Sequence, residues 1–598
     1  MFQTFSESSN SKDGAKRLAA LRQELADKGL QGFLIPRADA HQGEYVAPRD
    51  ARLAWLTGFT GSAGFCAVLP EIAGVFVDGR YRVQVKEQVD LSHFTPVDWP
   101  ETKLGNWLIK HAPPHAFIGF DMWLHTDHEI TNLNNLLCES TINLRPSENL
   151  VDRIWADQPG PPLGKITDYP TKFAGKTSRY KRSEVAALLR SEGQRAVVLT
   201  LPDSIAWLLN IRGSDIERNP VPQVFAILFD DGRVQLISDP AKVADLPSDP
   251  DIKVVALDQF TNALENLSGT VRVDPKTVPF AVAAILERSG VKINRGDDPC
   301  ILPKARKNAT EIAGTVEAHL RDGGAMVEFL AWLDSAKEQP GLSEIDIVTK
   351  LEGYRRATNA LLDISFETIC GSGPNGALPH YRVSEDSNRT LQTGDLIVID
   401  SGGQYIDGTT DITRTVCVGN PGPEERAAFT RVLQGMVAIS RVRWPIGLSG
   451  RDLDPLARYP LWTAGQDFDH GTGHGVGTYL CVHEGPQRIS RISEVPLDPG
   501  MILSNEPGYY REGAFGIRTE NLVVVQDAPS LVGADTREML SFQTITFVPI
   551  ERRLINVDKL APGERDWIDT YHAEVLQKIG PRVKGETLNW LTHATAPL

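Results

Sequence analysis

The chain has 598 residues, which is too long for a single hydrophobic core and predicts two or three domains. With 41% hydrophobic and 23% charged residues, its composition is that of an ordinary globular protein. A formal net charge of -15 excludes a globally basic surface, so we expect neither nucleic acid nor an anionic membrane as a partner.

The amino terminus and the cysteines predict a cytoplasmic protein. The opening residues, MFQTFSESSNSKDG, contain no basic segment followed by an apolar one, and no apolar run approaches the roughly 18 residues that span a bilayer. The six cysteines are far apart, with a smallest spacing of 47 residues between Cys370 and Cys417. This spacing fits neither a disulfide framework nor a CxxC metal site, so we expect buried free thiols.

Two segments rich in proline, residues 157–170 and 297–308, divide the sequence into three predicted domains: 1–160, 161–304 and 305–598. After the second segment, Asn308 can cap a helix whose Glu311 follows three residues later, and Ser343 can cap another with Asp346. The first segment has no helical or strand periodicity and is expected to be a linker, and the second is expected to be another joint between domains.

The first two blocks share a faint internal repeat. RLAWLTGFTGSAGFCAVL at 52–69 is similar to SIAWLLNIRGSDI at 204–216, and each is followed by a strand-like run and a polar turn. Short β-branched strands such as VVLTL and VFAILF alternate with amphipathic helices, which predicts two related α/β domains.

The third block opens with helices and continues with strand-like runs, among them LIVID, DITRTVCV, MILSNEP, NLVVV and TITFVPI. This order predicts an α+β domain whose sheet is antiparallel and is covered by helices on one face.

Four carboxylates in this block are candidates for chemistry. In VIDSGGQYIDGTTDITRT, Asp400 ends an apolar strand and Asp411 begins another, so pairing of the strands would bring together two carboxylates that repel each other without a proton or a metal. Glu506 and Glu520 adjoin apolar strands, where a carboxylate needs a partner to offset desolvation. The alternative is that all four are turn residues or surface strand ends.

The segment HGTGHGVGTYLCVHEGP at 470–486 adds three histidines among glycines. Two divalent cations would neutralise the four carboxylates, with His474 as a neutral ligand. Such an oxygen-rich set suits Mn²⁺ or another first-row ion better than a structural zinc. Ions about 3.5 to 4 Å apart could share a hydroxide, which predicts hydrolysis. His380, His470 and His483 would then be left to bind substrate or move protons, although an isolated histidine is more often structural.

The order Asp400, Asp411, His474, Glu506, Glu520 resembles the metal-ligand series of the pita-bread metallopeptidases, in which the first two aspartates also lie eleven residues apart. HGTGHGVG, VHEGP, NEPGYY and GIRTEN are similar to the versions in the aminopeptidase P family. IPRADAHQGEYVAP at 35–48, GFTGSAG and VDGRYRVQ resemble the first domain of its long, three-domain members, and the chain from about residue 540 to 598 resembles their C-terminal extension.

This resemblance implies two creatinase-like N-terminal α/β domains, a pita-bread catalytic domain, two divalent metal ions with manganese expected, and a homodimer. It implies release of the first residue from peptides with proline in the second position. Asp400 would bind one metal, Asp411 and Glu520 would bridge both, and His474 and Glu506 would complete the other. Two alternatives share the fold: a prolidase that cleaves Xaa-Pro dipeptides, and a non-catalytic peptide-binding module.

Further roles follow from the same resemblance. Glu506 would also shuttle a proton, His380 and His483 would engage the substrate around the scissile carbonyl, and Arg518 and Tyr510 would organise the ligands from behind. His470 would border the pocket for the proline ring, which we expect Tyr381 and Tyr509 to complete.

Overall fold

The computed structural model describes residues 1–6 and 11–598. The chain forms two compact units, one ending at Ile301 and the other comprising Leu302–Leu598 together with the amino-terminal residues. The backbone amides of Phe2 and Gln3 donate to the Glu352 carboxylate within the second unit. None of the helices in the described ranges combines the length and the apolar character that a bilayer crossing requires.

The first unit begins with a six-stranded sheet in the order β4-β3-β2-β1-β5-β6. Its strands are β1 (Gly32–Pro36), β2 (Phe65–Val68), β3 (Ala73–Val77), β4 (Thr95–Asp98), β5 (Phe117–Asp121) and β6 (Asn143–Ser147). Its helices are α1 (Gly14–Asp27), α2 (Arg52–Thr57), α3 (Gln84–Gln88), α4 (Leu104–His111), α5 (Asp127–Leu137) and α6 (Leu150–Ile154).

A second six-stranded sheet follows, in the order β12-β11-β10-β8-β13-β14. The strands of this part are β7 (Thr167–Asp168), β8 (Ala196–Leu199), β9 (Ile211–Arg212), β10 (Phe225–Phe229), β11 (Val234–Ile237), β12 (Ile252–Val255), β13 (Thr270–Val273) and β14 (Lys292–Arg295). The helices are α7 (Thr171–Ala174), α8 (Ser178–Ser191), α9 (Pro202–Leu209), α10 (Phe260–Glu265), α11 (Phe280–Arg288) and α12 (Ile301–Ala305).

The two sheets have the same topology, which confirms that the first two blocks are related α/β structures. In each, the first strand pairs antiparallel with the second and parallel with the fifth, and the third pairs parallel with the fourth. Helices α2 and α9, which carry the repeated sequence, occupy equivalent positions after β1 and β8.

Both of the predicted connecting segments contain some regular structure, although the sequence predicts none in the first. Strand β7 lies in segment 157–170 and pairs antiparallel with β9, because Thr167 and Asp168 find backbone partners in Arg212 and Ile211. Helix α12 lies in segment 297–308. Proline and glycine mark these connections but do not prevent short elements that neighbouring backbone can satisfy.

The second unit is antiparallel in every strand pair that the structure describes, as predicted. Its sheets have the orders β15-β18-β19, β16-β17-β20, β21-β28-β27-β24-β22-β23 and β25-β26. Its elements are α13 (Ala309–Ala336), α14 (Glu344–Ala357), β15 (Asp363–Ile364), β16 (Ile369–Ser372), β17 (Leu396–Ser401), β18 (Gly403–Tyr405), β19 (Gly408–Thr409), β20 (Ile412–Cys417), α15 (Pro423–Arg441), β21 (Arg443–Pro445), α16 (Gly450–Trp462), β22 (Gly473–Gly475), β23 (Glu484–Ile489), β24 (Ile502–Asn505), β25 (Gly508–Arg511), β26 (Phe515–Arg518), β27 (Asn521–Asp527), β28 (Met539–Thr544), α17 (Pro562–Ile579) and α18 (Gly585–Ala594).

Local sequence sets where the helices of this unit begin. Asn308 accepts from the Glu311 amide while the Glu311 side chain accepts from the Asn308 amide, and Ser343 and Asp346 make the same reciprocal pair, so both predicted capping boxes are confirmed. Helix α15 is the centre of one hydrophobic core, which includes Phe429, Leu433, Ile517 and Tyr571.

The six cysteines are free, as predicted. Four of them are buried as predicted, whereas Cys138 is exposed and Cys481 is half-buried.

Candidate metal centre

The two aspartates come together because their strands pair. Strand β17 runs antiparallel to β20, with Asp400 opposite Thr413 and Ser401 opposite Ile412. The chain between them leaves this ladder as the hairpin β18–β19, which pairs with β15, and then returns at Asp411. Both aspartates are buried, and the predicted strand pairing is confirmed.

His474 and Glu506 are delivered by neighbouring strands of the large sheet. β22 pairs with β24, and the His474 amide donates to Ser504 Oγ at 2.9 Å, while Ser504 Oγ donates to Glu506 Oε1 at 3.1 Å. A Cβ on Gly473 would lie 1.9 Å from the Ser504 carbonyl oxygen. Glycine is therefore required before His474 for the strands to approach, which explains part of the glycine-rich pattern.

The His474 ring presents a lone pair to carboxylates. Its Nδ1 lies 2.9 Å from the Gly475 carbonyl oxygen, which can only accept, so the neutral ring carries its proton on Nδ1. Nε2 then lies 3.4 Å from Asp411 Oδ2 and 3.3 Å from Glu506 Oε1. Three acceptors facing one another need a cation between them.

Glu520 completes the cluster from the residue before β27. Thr413 Oγ1 donates to Glu520 Oε2 at 2.8 Å, and the Glu520 amide donates to the Thr413 carbonyl at 3.2 Å. Ligand atoms of Asp411, His474 and Glu520 all lie within 4.8 Å of one another.

The electrostatics of the cluster fit bound cations. Burial and then the neighbouring carboxylates raise the pKa of Asp411 and of Glu520 well above the ordinary range. Asp400 Oδ1 and Glu520 Oε1 are buried and have no hydrogen-bond partner among the described residues. These buried carboxylate oxygens accept no hydrogen bond from the described part of the chain and lie beside a neutral imidazole nitrogen. Together they form a set of ligand atoms suited to divalent metal ions.

A chain of hydrogen bonds runs behind Asp400. The Arg518 guanidinium donates to Asp400 Oδ2 at 2.6 Å and to the Tyr510 hydroxyl at 2.5 Å. That hydroxyl lies 3.0 Å from His470 Nε2, and His470 Nδ1 lies 2.8 Å from the Gly471 carbonyl oxygen. The neutral ring therefore donates through Nδ1 and accepts from Tyr510 through Nε2. The structure thus brings Arg518, Tyr510 and His470 together next to Asp400.

The other predicted histidines lie on segments adjoining the cluster. The His483 ring packs edge-on against His474, with 4.4 Å between centroids, and the next residue, Glu484, is buried between Lys304 and Lys307. His380 is half-buried and follows the single-turn helix Gly373–Ala377, which packs against β26. The roles of these histidines stay predictions.

The predicted place of Tyr381 in the proline pocket is wrong. Tyr381 is buried in a hydrophobic core, and its hydroxyl donates to Glu344 Oε2 at 3.0 Å and contacts Ser387. The buried Glu344 carboxylate draws this hydroxyl inward, so the ring fills the core. Tyr509 is half-buried on β25, where its ring lies 6.2 Å from that of Phe515.

A buried network that sequence reasoning missed holds the hairpin between the aspartates. The Asp322 carboxylate on α13 accepts from Arg355 Nε at 2.7 Å, from the Tyr405 hydroxyl at 2.7 Å and from Thr410 Oγ1 at 3.0 Å. Arg355 also donates to the Ser401 carbonyl at 3.2 Å. The ion pair of Asp322 and Arg355 therefore fixes Ser401 and Thr410, the residues that follow Asp400 and precede Asp411. A carboxylate on the buried stripe of α13, four residues from Ala318 and from Met326, was the available signal.

Known families match this chain along most of its length. The model of metallopeptidase family M24 matches residues 314–527, and that of the C-terminal region of peptidase M24 matches 538–598. Two Creatinase/Prolidase N-terminal domain models match 17–154 and 157–311. A probable Xaa-Pro aminopeptidase P of Laccaria bicolor is 36% identical over 98% of this chain and 93% of its own length. The chain belongs to metallopeptidase family M24.

Other M24 relatives are similar over the whole chain. Aminopeptidase P2 of Arabidopsis thaliana is 36% identical over 98% of this chain and 88% of its own. A crystal structure of X-prolyl aminopeptidase from Caenorhabditis elegans, described as a cytosolic enzyme with a di-nuclear active site, superimposes with a TM-score of 0.92. It is 31% identical and covers 98% of this chain and 100% of its own. The three-domain pita-bread fold expected for this M24 peptidase is confirmed.

Metal removal is expected to change how the stability of the protein depends on pH. Because the pKa values of Asp411 and Glu520 are raised, the metal-free folded protein binds more protons than the unfolded chain above about pH 4. Its stability therefore falls as pH rises through the raised pKa values. Bound cations replace those protons, so metal should raise the melting temperature most at about pH 8 and progressively less toward about pH 5. Calorimetry on chelated and metal-restored samples measures this gain, and a gain independent of pH contradicts the assignment.

Proposed function

We propose that this M24 peptidase is an Xaa-Pro aminopeptidase that releases the first residue from peptides with proline in the second position. The observation that carries the proposal is the convergence of four carboxylates and one imidazole in a largely buried site, on a chain that matches a probable Xaa-Pro aminopeptidase P over 98% of its length. Two divalent cations serve the site, and manganese is the metal we infer because the donors are mostly oxygens.

The cation ligands are Asp400, Asp411, His474, Glu506 and Glu520. The negative charge of the four carboxylates balances the positive charge of two divalent cations. One oxygen of Asp400 and one of Glu520 accept no hydrogen bond from any residue that the structure describes and are therefore available to bind those cations. When bound, the cations supply Lewis acidity and make water nucleophilic at neutral pH.

The chain's own residues orient the substrate and move the protons. Glu506, which Ser504 holds beside His474, accepts the proton of the attacking water and delivers it to the departing nitrogen. His483 and His380 donate to the scissile carbonyl oxygen as negative charge develops on it. Arg518 and Tyr510 hold Asp400 in place by the hydrogen bonds described above.

A site of this kind suits a bond to proline. The Xaa-Pro bond is a tertiary amide without an N–H, and the proline ring fixes φ near about -65°. A peptidase that anchors its substrate on the missing hydrogen bond fails here, whereas activation of the carbonyl does not require that donor. The leaving secondary amine still needs a proton, which gives Glu506 its second task.

Two alternatives remain on the same fold. A prolidase acts on Xaa-Pro dipeptides, and a non-catalytic domain binds peptides without cleaving them. The match over both N-terminal domains of Xaa-Pro aminopeptidases favours the aminopeptidase over the prolidase. The presence of all five candidate ligands in one cluster favours an enzyme over a binding module.

Metal content and substrate length test the proposal on one sample. Chelated protein should lose hydrolysis of an Xaa-Pro-Yaa tripeptide, and Mn²⁺ should restore it, with kcat/KM at least about tenfold higher than for the matching Xaa-Pro dipeptide. Preference for the dipeptide would assign a prolidase. A protein that binds Mn²⁺ yet leaves both peptides intact would assign the binding module.

Replacement of His470 tests the proline pocket. Both ring nitrogens of His470 are engaged by Gly471 and Tyr510, so in this proposal the ring contacts the proline through its carbon atoms and not through a hydrogen bond. His470→Ala should lower kcat/KM for Xaa-Pro-Yaa by about 10- to 100-fold. The matched control is His593→Ala, on the exposed part of α18, which should leave the rate unchanged. An unaltered kcat/KM in His470→Ala removes this residue from the pocket.

We infer a cytoplasmic homodimer for the whole chain. The apolar side chains Leu456, Tyr459 and Trp462 recur at helical spacing on α16 and are exposed, and Arg491, the neighbour of exposed Ile492, lies over the Trp462 ring. A second copy packing on this face would cover it. Sedimentation velocity should give twice the mass of the chain, and Tyr459→Glu should shift the measured mass toward that of a single chain. A monomeric wild type contradicts the inference.

A further inference from the structure

Arg414 is a buried arginine that the mechanism above does not use. It lies on β20 between Thr413 and Thr415 and is 2% exposed. Among the described residues it forms no ion pair with a carboxylate, and its partners are backbone carbonyls, an amide and a hydroxyl. A guanidinium withdrawn from water in this way is kept only where many oxygens meet it.

One side of this guanidinium joins the two backbone segments that carry metal ligands. Nη1 donates to the Thr413 carbonyl at 2.8 Å and to the Glu520 carbonyl at 2.5 Å. Nη2 donates to Asn521 Oδ1 at 2.8 Å. Arg414 thus fixes β20, which follows Asp411, to Glu520 and to the first residue of β27, Asn521.

The other side joins the C-terminal region. Nε donates to the Pro549 carbonyl at 3.0 Å, and Nη2 donates to the Val548 carbonyl at 2.7 Å and to the Tyr571 hydroxyl at 3.0 Å. The Tyr571 hydroxyl, from α17, also accepts from the Val548 amide at 3.2 Å and lies 2.8 Å from the Val548 carbonyl oxygen. Residues 546–550 are therefore held between the metal-bearing strand and helix α17.

We propose that Arg414 and Tyr571 are positioning residues through which the C-terminal region holds Glu520 next to Asp411. The extension after β28 contributes no ligand to the site, yet its hydroxyl and carbonyls orient the guanidinium that sets the distance between two ligand-bearing segments. The inference rests on the proposed function only in taking Asp411 and Glu520 as metal ligands.

Removal of one hydroxyl tests the proposal with little change in packing. Tyr571→Phe keeps the ring and its stacking on Trp567 but releases Arg414 and Val548. Titration of metal-stripped protein with Mn²⁺ by calorimetry should show a Kd raised about three- to tenfold, less than the 10- to 100-fold of a group touching a ligand directly. The matched control is Tyr81→Phe in the other unit, which also removes a buried hydroxyl bonded to Ser62. It should leave the Kd unchanged.

Arg414→Lys extends the test. A single ammonium cannot reach both ligand segments and the C-terminal carbonyls, so the Kd should rise about 10- to 100-fold, and adding Tyr571→Phe should raise it little further because both residues act as one unit. Circular dichroism must show that each variant is folded. A Kd in Tyr571→Phe equal to wild type, or independent multiplication of the two effects, overturns the proposal. Absence of Mn²⁺ binding by wild-type protein would instead overturn the metal centre itself.

Discussion

The structure of the catalytic unit depends on holding buried carboxylates close together against their mutual repulsion. Asp411 and Glu520 are buried, and Asp400 and Glu506 lie near enough to raise their pKa values further. The ionised carboxylates of such a cluster destabilise the fold, because burial and like charge both oppose the ionised form. The surrounding fold must therefore supply the free energy that keeps the groups in place until cations arrive.

Hydrogen bonds that fix the ligand-bearing segments in place supply more of that free energy than neutralisation of the carboxylates by nearby arginines. Arg518 is the guanidinium that forms an ion pair with a member of the cluster, through Asp400. The charge of Arg355 is cancelled by Asp322, and Arg414 is directed to backbone oxygens. These arginines therefore act mainly by fixing geometry: Arg355 and Arg414 hold backbone carbonyls at or near ligand residues, and Arg518 holds the Asp400 side chain. The arginines therefore leave most of the carboxylate charge to be neutralised by protons or by divalent cations.

Sequence reasoning succeeded where the relevant contacts are local or repeat a pattern. The pairing of the strands that carry Asp400 and Asp411 could be predicted because only ten residues, rich in glycine and threonine, separate the two aspartates. The capping boxes at Asn308 and Ser343 are likewise local. The two related α/β sheets could be predicted from a short sequence similarity, and their shared strand order explains that similarity. Glu506, Glu520 and His474 could be proposed as ligands from their apolar neighbours and from the charge count, but their separate roles needed the resemblance to a family, since no spacing rule brings β22, β24 and β27 together.

The supporting residues could not be predicted for a physical reason. Asp322 contacts Arg355 across 33 positions and Thr410 across 88, and Arg414 meets Tyr571 across 157. A side chain whose partners are backbone carbonyls leaves no complementary residue type to search for. Tyr381 shows a different error, since its aromatic ring suggested a wall of the proline pocket, whereas Glu344, 37 residues away, determines the direction of its hydroxyl.

These long separations also tie the chemistry to completion of folding. The candidate ligands span residues 400–520, but the network behind them closes only when α17 has packed against α15, since Tyr571 belongs to the same hydrophobic core as Phe429 and Leu433. Closing loops of this length costs entropy that apolar burial in that core must offset. A chain that lacks its last helices would have the ligand residues but not the arrangement that binds metal. Hydrolytic capacity is therefore a property of the whole unit and not only of the strands that carry the ligands.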